Sequence, residues 1–399
     1  MRICLFTDSF LPYISGVSTA VFNQANELAA RGHEVSIYHP RAKRCDRLDT
    51  VPGLDPSIRT FGLPLSVAVS GVSKLRFSVP LFLHTYRRLK RADPDVIHVH
   101  SEFGCGLEGM LLGRWKGVPV IGTFHTFFAE PEYLKQFRIP NFEITRKAMW
   151  KYSVSFYNRC CHIVSPSKSV REHLIARGMR RPVTLMSNGI DRIDFRPRED
   201  LDAYRRSLRI DDFAFIYVGR ISPEKSLDIV LKAFRETLKS NSRAKLVIVG
   251  NGPFDTALDQ QIPELGLTDN VVRTGRIERD QLMKDNVPLL GDVFVTASKT
   301  ENQPVSLLEA MAFGLPMIGP RAKGIPELVQ DGVDGIIFES DNIKEMAEAM
   351  TRLMEDETLR GELSAAAIRN ANEHRIDKIG KQLEGIYQAA IDLKKSKQR

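Results

Sequence analysis

The chain has 399 residues, more than one hydrophobic core usually serves, and its 43% hydrophobic and 27% charged side chains are those of a globular protein of two domains. No apolar run approaches the roughly 20 residues that span a bilayer, and Met1–Phe6 runs straight into a strand pattern without the order of a signal peptide, so the expected location is cytoplasmic. The five cysteines, at 4, 45, 105, 160 and 161, form no C-x-x-C pair, which leaves zinc and dithiol chemistry unsupported and reduced thiols expected. The net charge of +8 is unevenly divided: residues 1–195 hold 27 Lys and Arg against 16 Asp and Glu, the remainder 30 against 33. A basic first half attracts nucleic acid, an anionic membrane surface or an acidic substrate, and charge alone does not choose among them.

Along the first half, Ile3–Phe6, Glu34–Tyr38, Val96–Val99, Val118–Gly122 and His162–Val164 read as buried strands alternating with helical stretches. The second half repeats the plan at Phe213–Val218, Lys245–Val249, Val271–Thr274, Val293–Thr296, Met317–Ile318 and Gly335–Phe338. The alternation predicts an α/β protein of two doubly wound domains. Ser187-Asn188-Gly189-Ile190-Asp191, followed by a charged segment, marks the boundary. Residues 1–190, completed by a helix over 375–399, form the first domain and 191–374 the second.

Three stretches carry chemistry. The loop Thr7–Gly16 leaves the first strand and enters a helix near Val17; a helix N-terminus holds free N–H groups and Gly16 admits a phosphate, although the same loop suits an ordinary turn. Gly219-Arg220 … Lys225 lies at the carboxyl end of the second domain's first strand, where ligands of open parallel sheets gather, and offers two cations to a diphosphate. Thr300–Gly314 predicts a helix from Pro304 to Phe313, with Val305 and Ser306 presenting N–H groups and with Glu301 and Glu309 eight residues apart.

These stretches occur in order with Gly250-Asn251-Gly252-Pro253, the 187–191 hinge and Gly122-Thr123-Phe124-His125-Thr126. Together they resemble the family 4 retaining glycosyltransferases over nearly the whole chain. The resemblance implies the GT-B fold, two Rossmann-like domains facing a central cleft, with the acceptor held by the first and a nucleotide diphosphate sugar by the second. It implies Glu309 on the ribose, Glu301 on the donor sugar, Arg220 and Lys225 on the diphosphate with the amides of Val305 and Ser306, and Gln303 beside them. It also implies His125 reaching the donor sugar, Gly16 over the distal phosphate, and Arg276 and Ile277 cradling the base. The catalytic set is thus His125, Arg220, Lys225 and Glu301. Three positions depart from the common pattern: Ser15 replaces a first glycine, Asn302-Gln303-Pro304 replaces a glycine-containing stretch, and Ser226 follows Lys225 where glycine is common.

The family chemistry is front-face transfer, which needs no carboxylate nucleophile and no cofactor. Asp93-Pro94-Asp95 spells the D-x-D of metal-dependent transferases, but its place before a strand reads as a turn, and His98 reads as sheet packing. For the acceptor, Lys74–Arg91 mixes Phe77, Val79, Phe82 and Tyr86 with Lys74, Arg76, Arg87, Arg88 and Lys90, and Arg146, Lys147, Trp150, Lys151 and Tyr152 form a second cluster. Such mixtures suit either a packed helix with a wet basic face or an anionic bilayer. With the basic first half, and a pattern similar to bacterial diacylglycerol glucosyltransferases and phosphatidylinositol mannosyltransferases, the expected reaction moves a hexose from a UDP-sugar, or from GDP-mannose, to a membrane lipid at the inner face of the membrane. A transferase with a soluble sugar or polysaccharide acceptor shares every donor residue, whereas a sugar-nucleotide epimerase shares the fold but needs base residues beside the anomeric carbon that the sequence does not show. Nucleic acid is disfavoured because Glu301 and Glu309 would repel its phosphates.

Overall fold

In both halves, short runs of buried apolar residues alternate with helices, and the runs pair as parallel strands where a helical connection carries the chain back across the sheet. The computed structural model describes residues 1–396 apart from 12, 14, 42–50, 69–75, 81, 126, 127, 129, 130, 132, 133, 135–138, 192, 194 and 196, and apart from the side chains of 82–84, 88, 91 and 198. The chain divides into two units, Met1–Gly189 with Ile376–Arg399, and Ile190–Arg375.

The strands of the first unit are β1 (Arg2–Phe6), β2 (Glu34–Pro40), β3 (Arg59–Leu63), β4 (Ser66–Ala68), β5 (Arg76–Ser78), β6 (Val96–Val99), β7 (Val120–Thr123), β8 (His162–Ser165) and β9 (Val183–Leu185). Seven form a parallel sheet in the order β3-β2-β1-β6-β7-β8-β9, and β4 and β5 pair antiparallel as a separate hairpin. Alternation along the strands sends Cys4, Phe6, Ile97 and Val99 into one core and Ile3, Leu5, Val35 and Ile37 into the other. The C-terminal helix Ile376–Ser396 closes this second core with Ile379, Leu383, Tyr387 and Ile391. It is pinned to the unit by Arg31 on Glu384 at 2.6 Å and by Tyr387 Oη on His98 Nδ1 at 2.7 Å.

The second unit holds β10 (Ala214–Val218), β11 (Lys245–Val249), β12 (Val271–Gly275), β13 (Val293–Val295), β14 (Met317–Pro320) and β15 (Gly335–Phe338), parallel in the order β12-β11-β10-β13-β14-β15. In each sheet the order reverses beside the first strand, between β1 and β6 and between β10 and β13. Ligands of doubly wound sheets collect at the carboxyl ends of strands at such a reversal.

Several expectations need correction. The strand placed at 118–122 begins at Val120, because the Val118 N–H donates to Gly113 O at 2.8 Å and the left-handed Gly117 ends the preceding helix. The helix expected from Val17 starts at Gly16, capped by Ser15. Residues 74–91 do not form one element: Arg76 and Phe77 lie on β5, and the helix is Phe82–Ala92. Lys74 and the side chains of Phe82 and Arg88 lie outside the described residues. The strands β3, β4, β5 and β9 were not anticipated; they are short, partly exposed edges without an apolar run.

His98 is buried between Tyr387 and Thr123, its Nε2 lying 2.7 Å from Thr123 Oγ1. Tyr387→Phe strips one partner from this buried ring and is expected to cost the first unit about 1–3 kcal/mol in guanidinium unfolding. Unchanged unfolding would show that the C-terminal helix is held by apolar packing alone.

Candidate functional site

At the carboxyl end of β10 the backbone is tightly nested. Gly219 N–H donates to Val249 O at 3.0 Å and Ile221 N–H to Asn251 O at 3.1 Å. A Cβ at Gly250 would fall 1.9 Å from Gly219 O, and one at Gly252 2.0 Å from Ile221 O, so two strand-end loops meet here backbone to backbone. Tyr217 Oη donates to the Arg220 carbonyl at 2.9 Å, fixing the backbone from which the half-buried Arg220 side chain leaves. Lys225 ends a short 3-10 turn, Pro223–Lys225, and Ser226 follows with φ +52°, the left-handed conformation that explains why glycine suits this position.

Lys225 is not an isolated cation. Its ammonium forms an ion pair with Glu301, and both side chains are only 18% exposed. Glu301 is held in turn by its backbone: Gly324 N–H donates to Glu301 O at 3.0 Å, and a Cβ at Gly324 would lie 1.5 Å from Asn302 O. The structure therefore brings together the residue expected on the diphosphate and the one expected on the sugar. The half-buried Gln303 follows in the same loop.

The next helix is Val305–Ala312, with Pro304 as its N-cap and left-handed Gly314 beyond its end. This corrects the expected start: Pro304 has ψ 119°, an extended value outside the helix. The first helical amides are then those of Val305, Ser306 and Leu307, which precede the i to i−4 ladder and can face an anion; Leu308 is the first to donate back, to Pro304 O at 3.2 Å.

Glu309, expected on a ribose, is buried and already engaged: Arg279 Nε and Nη2 donate to its Oε1 at 3.1 and 3.0 Å. Arg279 also reaches Asp191 Oδ2 at 3.2 Å. Burial pushes the Glu309 carboxyl above its usual range against the pull of Arg279. Sequence reasoning missed Arg279, although it lies three residues past Arg276, as the first residue of the helix Arg279–Lys284. Arg276 itself pairs with Glu278 at 2.9 Å, and Ile277 packs against the core.

In the first unit, Gly16 is the first residue of Gly16–Ala30, and Ser15 and Ser18 complete a reciprocal cap: Ser18 N–H donates to Ser15 Oγ at 3.2 Å and Ser15 N–H to Ser18 Oγ at 2.7 Å. His125, after β7, lies with Nε2 3.1 Å from His100 Nδ1, and the His100 ring lies tilted against His98 with centroids 4.0 Å apart. Burial lowers His125 to about 4 and His98 to about 3, so both rings are neutral at physiological pH and act by hydrogen bonding.

Asp93 and Asp95 are both taken by Arg2, at 2.7 and 2.8 Å, in the turn before β6. Among the described residues no three His, Cys, Asp or Glu side chains gather as a metal site. Trp150 is a correction: it is buried, stacked on Phe124, with Arg177 4.3 Å above its ring, and does not belong to a surface cluster. Arg87 is exposed, while Arg76 donates from Nε to Ser66 Oγ at 2.8 Å within the hairpin.

Two buried carboxyls at the reversal of the first sheet were also missed. Asp8 accepts from Ser101 Oγ at 2.6 Å, from Cys105 N–H at 3.0 Å and from Ser78 N–H at 3.2 Å, tying the end of β1 to β5 and to the helix Gly104–Lys116. Glu102 accepts from Ser153 Oγ at 2.9 Å and Tyr157 Oη at 3.2 Å, and burial pushes it up to about 7. Neither belongs to a recognisable motif; a single acid beside an apolar run was the only signal.

Residues 14–192 match the family model described as Glycosyltransferase Family 4, and residues 200–374 the model described as Glycosyl transferases group 1. The chain is 28% identical over 406 residues to Alpha-monoglucosyldiacylglycerol synthase of Acholeplasma laidlawii, covering 100% of this chain and 99% of that one. It is 30% identical over 402 residues to Alpha-monoglucosyldiacylglycerol synthase of Streptococcus pneumoniae, covering 98% and 86%. The solved structure of Anabaena Alr3699/HepE in complex with UDP and glucose matches with a TM-score of 0.76 at 18% identity, over 97% of this chain and 99% of that one. That likeness is one of fold, the GT-B arrangement of two parallel-sheet α/β domains.

The raised Glu102 carboxyl makes stability depend on pH. A group that titrates at about 7 when folded and at 4.5 when unfolded binds more protons in the native state across that window, so stability is lost as pH rises through it. Glu102→Gln removes the dependence. In urea unfolding its stability relative to the natural chain is expected to rise by up to about 3 kcal/mol between about pH 5 and about pH 8; a pH-independent difference would assign the titration to another group.

Proposed function

This chain belongs to glycosyltransferase family 4, and we propose that it transfers a hexose, with retention and without a metal ion, from a nucleotide diphosphate sugar to a membrane lipid such as diacylglycerol. A UDP-sugar is the favoured donor. The observation that carries the reading is the Lys225–Glu301 pair, which joins the strand-end loop that also holds Arg220 to the loop that opens the Val305–Ala312 helix, all within one unit. The nearly full-length likeness to two enzymes named as glucosyldiacylglycerol synthases supports the acceptor. The surplus of Lys and Arg in residues 1–195 supports attachment to the anionic inner face of the membrane.

As the anomeric C–O bond breaks, negative charge grows on the departing diphosphate and positive charge on the sugar. Arg220, Lys225 and the amides of Val305 and Ser306 stabilise the first, being oriented before the reaction begins. The acceptor hydroxyl attacks from the face the diphosphate leaves, and its proton passes to a phosphate oxygen, so no protein base is required. Glu301 accepts from sugar hydroxyls and Glu309 from the ribose, with Arg279 neutralising the buried carboxylate while ribose is absent. Neutral His125 exchanges a hydrogen bond with the sugar. Gln303 lines the phosphate approach, Gly16 caps the distal phosphate, and Arg276 and Ile277 flank the base.

Incubation with UDP-glucose and diacylglycerol, with and without a chelator, followed by analysis of the glycolipid's anomeric configuration, tests the reading. An α-linked product formed equally in both cases is expected; an inverted product, or strict need for a divalent ion, would overturn it. Arg220→Ala and Lys225→Ala are each expected to lower kcat by about 100-fold or more with a smaller effect on acceptor KM. Full turnover by both would remove the clamp. Binding to vesicles containing phosphatidylglycerol is expected to fall as salt rises, and equal binding to neutral vesicles would remove the electrostatic attachment.

A further inference from the structure

The first unit contains an apolar cavity of about 270 Å³ that the donor chemistry leaves unused. Its walls include Val67 and Ala68 on β4, Phe77 on β5, Phe103, Phe128 and Met149. Phe103 organises it, with ring centroids 4.9 Å from both Phe77 and Phe128. Its β4 wall meets solvent, with Val67 61% exposed, and the neighbouring Leu65 and Val79 are also exposed, joined by Val79 N–H to Leu65 O at 2.8 Å.

The cavity is a built feature. Asp8 grips Ser78 and Cys105, which fixes the hairpin against the start of the Gly104–Lys116 helix. Gly104 has no room for a side chain, since a Cβ there would lie 1.9 Å from Ser78 O. Phe103 directly follows His100-Ser101-Glu102, so the apolar walls adjoin the polar carboxyl end of β6, where His100 meets His125. A ligand with a hydroxyl at one end and hydrocarbon behind it matches that sequence of surfaces.

We propose that this cavity, walled by the β4–β5 hairpin, Phe103, Phe128 and Met149, holds the first segment of one acyl chain of the lipid acceptor. The proposal rests on the lipid-acceptor reading and adds to it the part of the acceptor that is bound. Its occupant is a hydrocarbon chain delivered from a bilayer: the exposed apolar wall belongs to the unit with the basic surplus, which is drawn to an anionic surface. An open apolar recess of this kind gains by covering hydrocarbon, and each methylene buried is worth about fourfold in affinity.

The test uses the full chain, UDP-glucose, and two acceptors kept free of vesicles, dibutyrylglycerol and dioctanoylglycerol, so that membrane attachment does not enter. The readout is the ratio of kcat/KM for the longer over the shorter acceptor. The natural chain is expected to favour dioctanoylglycerol, and Ala68→Trp, which fills the cavity, to cut the ratio by about tenfold or more. Should Ala68→Trp fail to fold, Val67→Trp at a position already exposed serves the same purpose. If the natural chain glycosylates both lipids and the folded Trp variant keeps its ratio, the cavity is not the acyl site although the lipid reading stands. If the natural chain glycosylates neither, the lipid reading itself falls and this proposal with it.

Discussion

The contact between Lys225 and Glu301 is the constraint around which the second unit is arranged. Each side chain is only 18% exposed, so neither charge is fully solvated and each depends on the other. In the proposed reaction a diphosphate would compete with Glu301 for the Lys225 ammonium, and a sugar hydroxyl would compete with Lys225 for Glu301. A nucleotide diphosphate sugar would bring both replacements in one molecule, which gives the pairing of cation and carboxylate a use in the proposed function. Glycines 250, 252 and 324 bring the surrounding loops to within backbone contact and hold the two residues in place.

The first unit uses its buried polar groups differently. Asp8 and Glu102 are satisfied by N–H and hydroxyl donors, and His98 and His125 are driven neutral by burial. These groups fix the loops that leave β1, β6 and β7. The result is a polar floor at the carboxyl ends of those strands, bordered by the aromatic walls of the cavity, whereas the second unit presents charge.

The strands at the sheet centres were legible because each is a short, continuous apolar run buried on both faces, and the helix at 305–312 because Pro304 and Gly314 bracket it. Edge strands such as β3 and β9 carry no such run, since half their surface meets water, and they emerge only from pairing with β2 and β8. Within the site, Lys225 and Glu301 were named separately, but their pairing spans 76 positions and no local pattern announces it. The same holds for Glu309, whose partner Arg279 sits 30 positions earlier, and for Asp8, whose donors come from two distant segments, Ser78 and Ser101 to Cys105. The family resemblance nominated residues for a ligand; only the packed backbone shows which of them are already bound to each other. Ser226 is the reverse case, where a departure noted from the sequence coincides with a left-handed backbone that a side chain tolerates at a cost of about 1 kcal/mol.

Calorimetric titration of UDP into the natural chain, Lys225→Ala and Glu301→Gln tests the central claim most directly. If the two residues compete with the ligand for one another, Lys225→Ala binds UDP at least about tenfold more weakly, while Glu301→Gln, which frees the ammonium, binds it as tightly as the natural chain or more so. Equal affinity in Lys225→Ala, or a loss in Glu301→Gln as large as that in Lys225→Ala, would contradict the account.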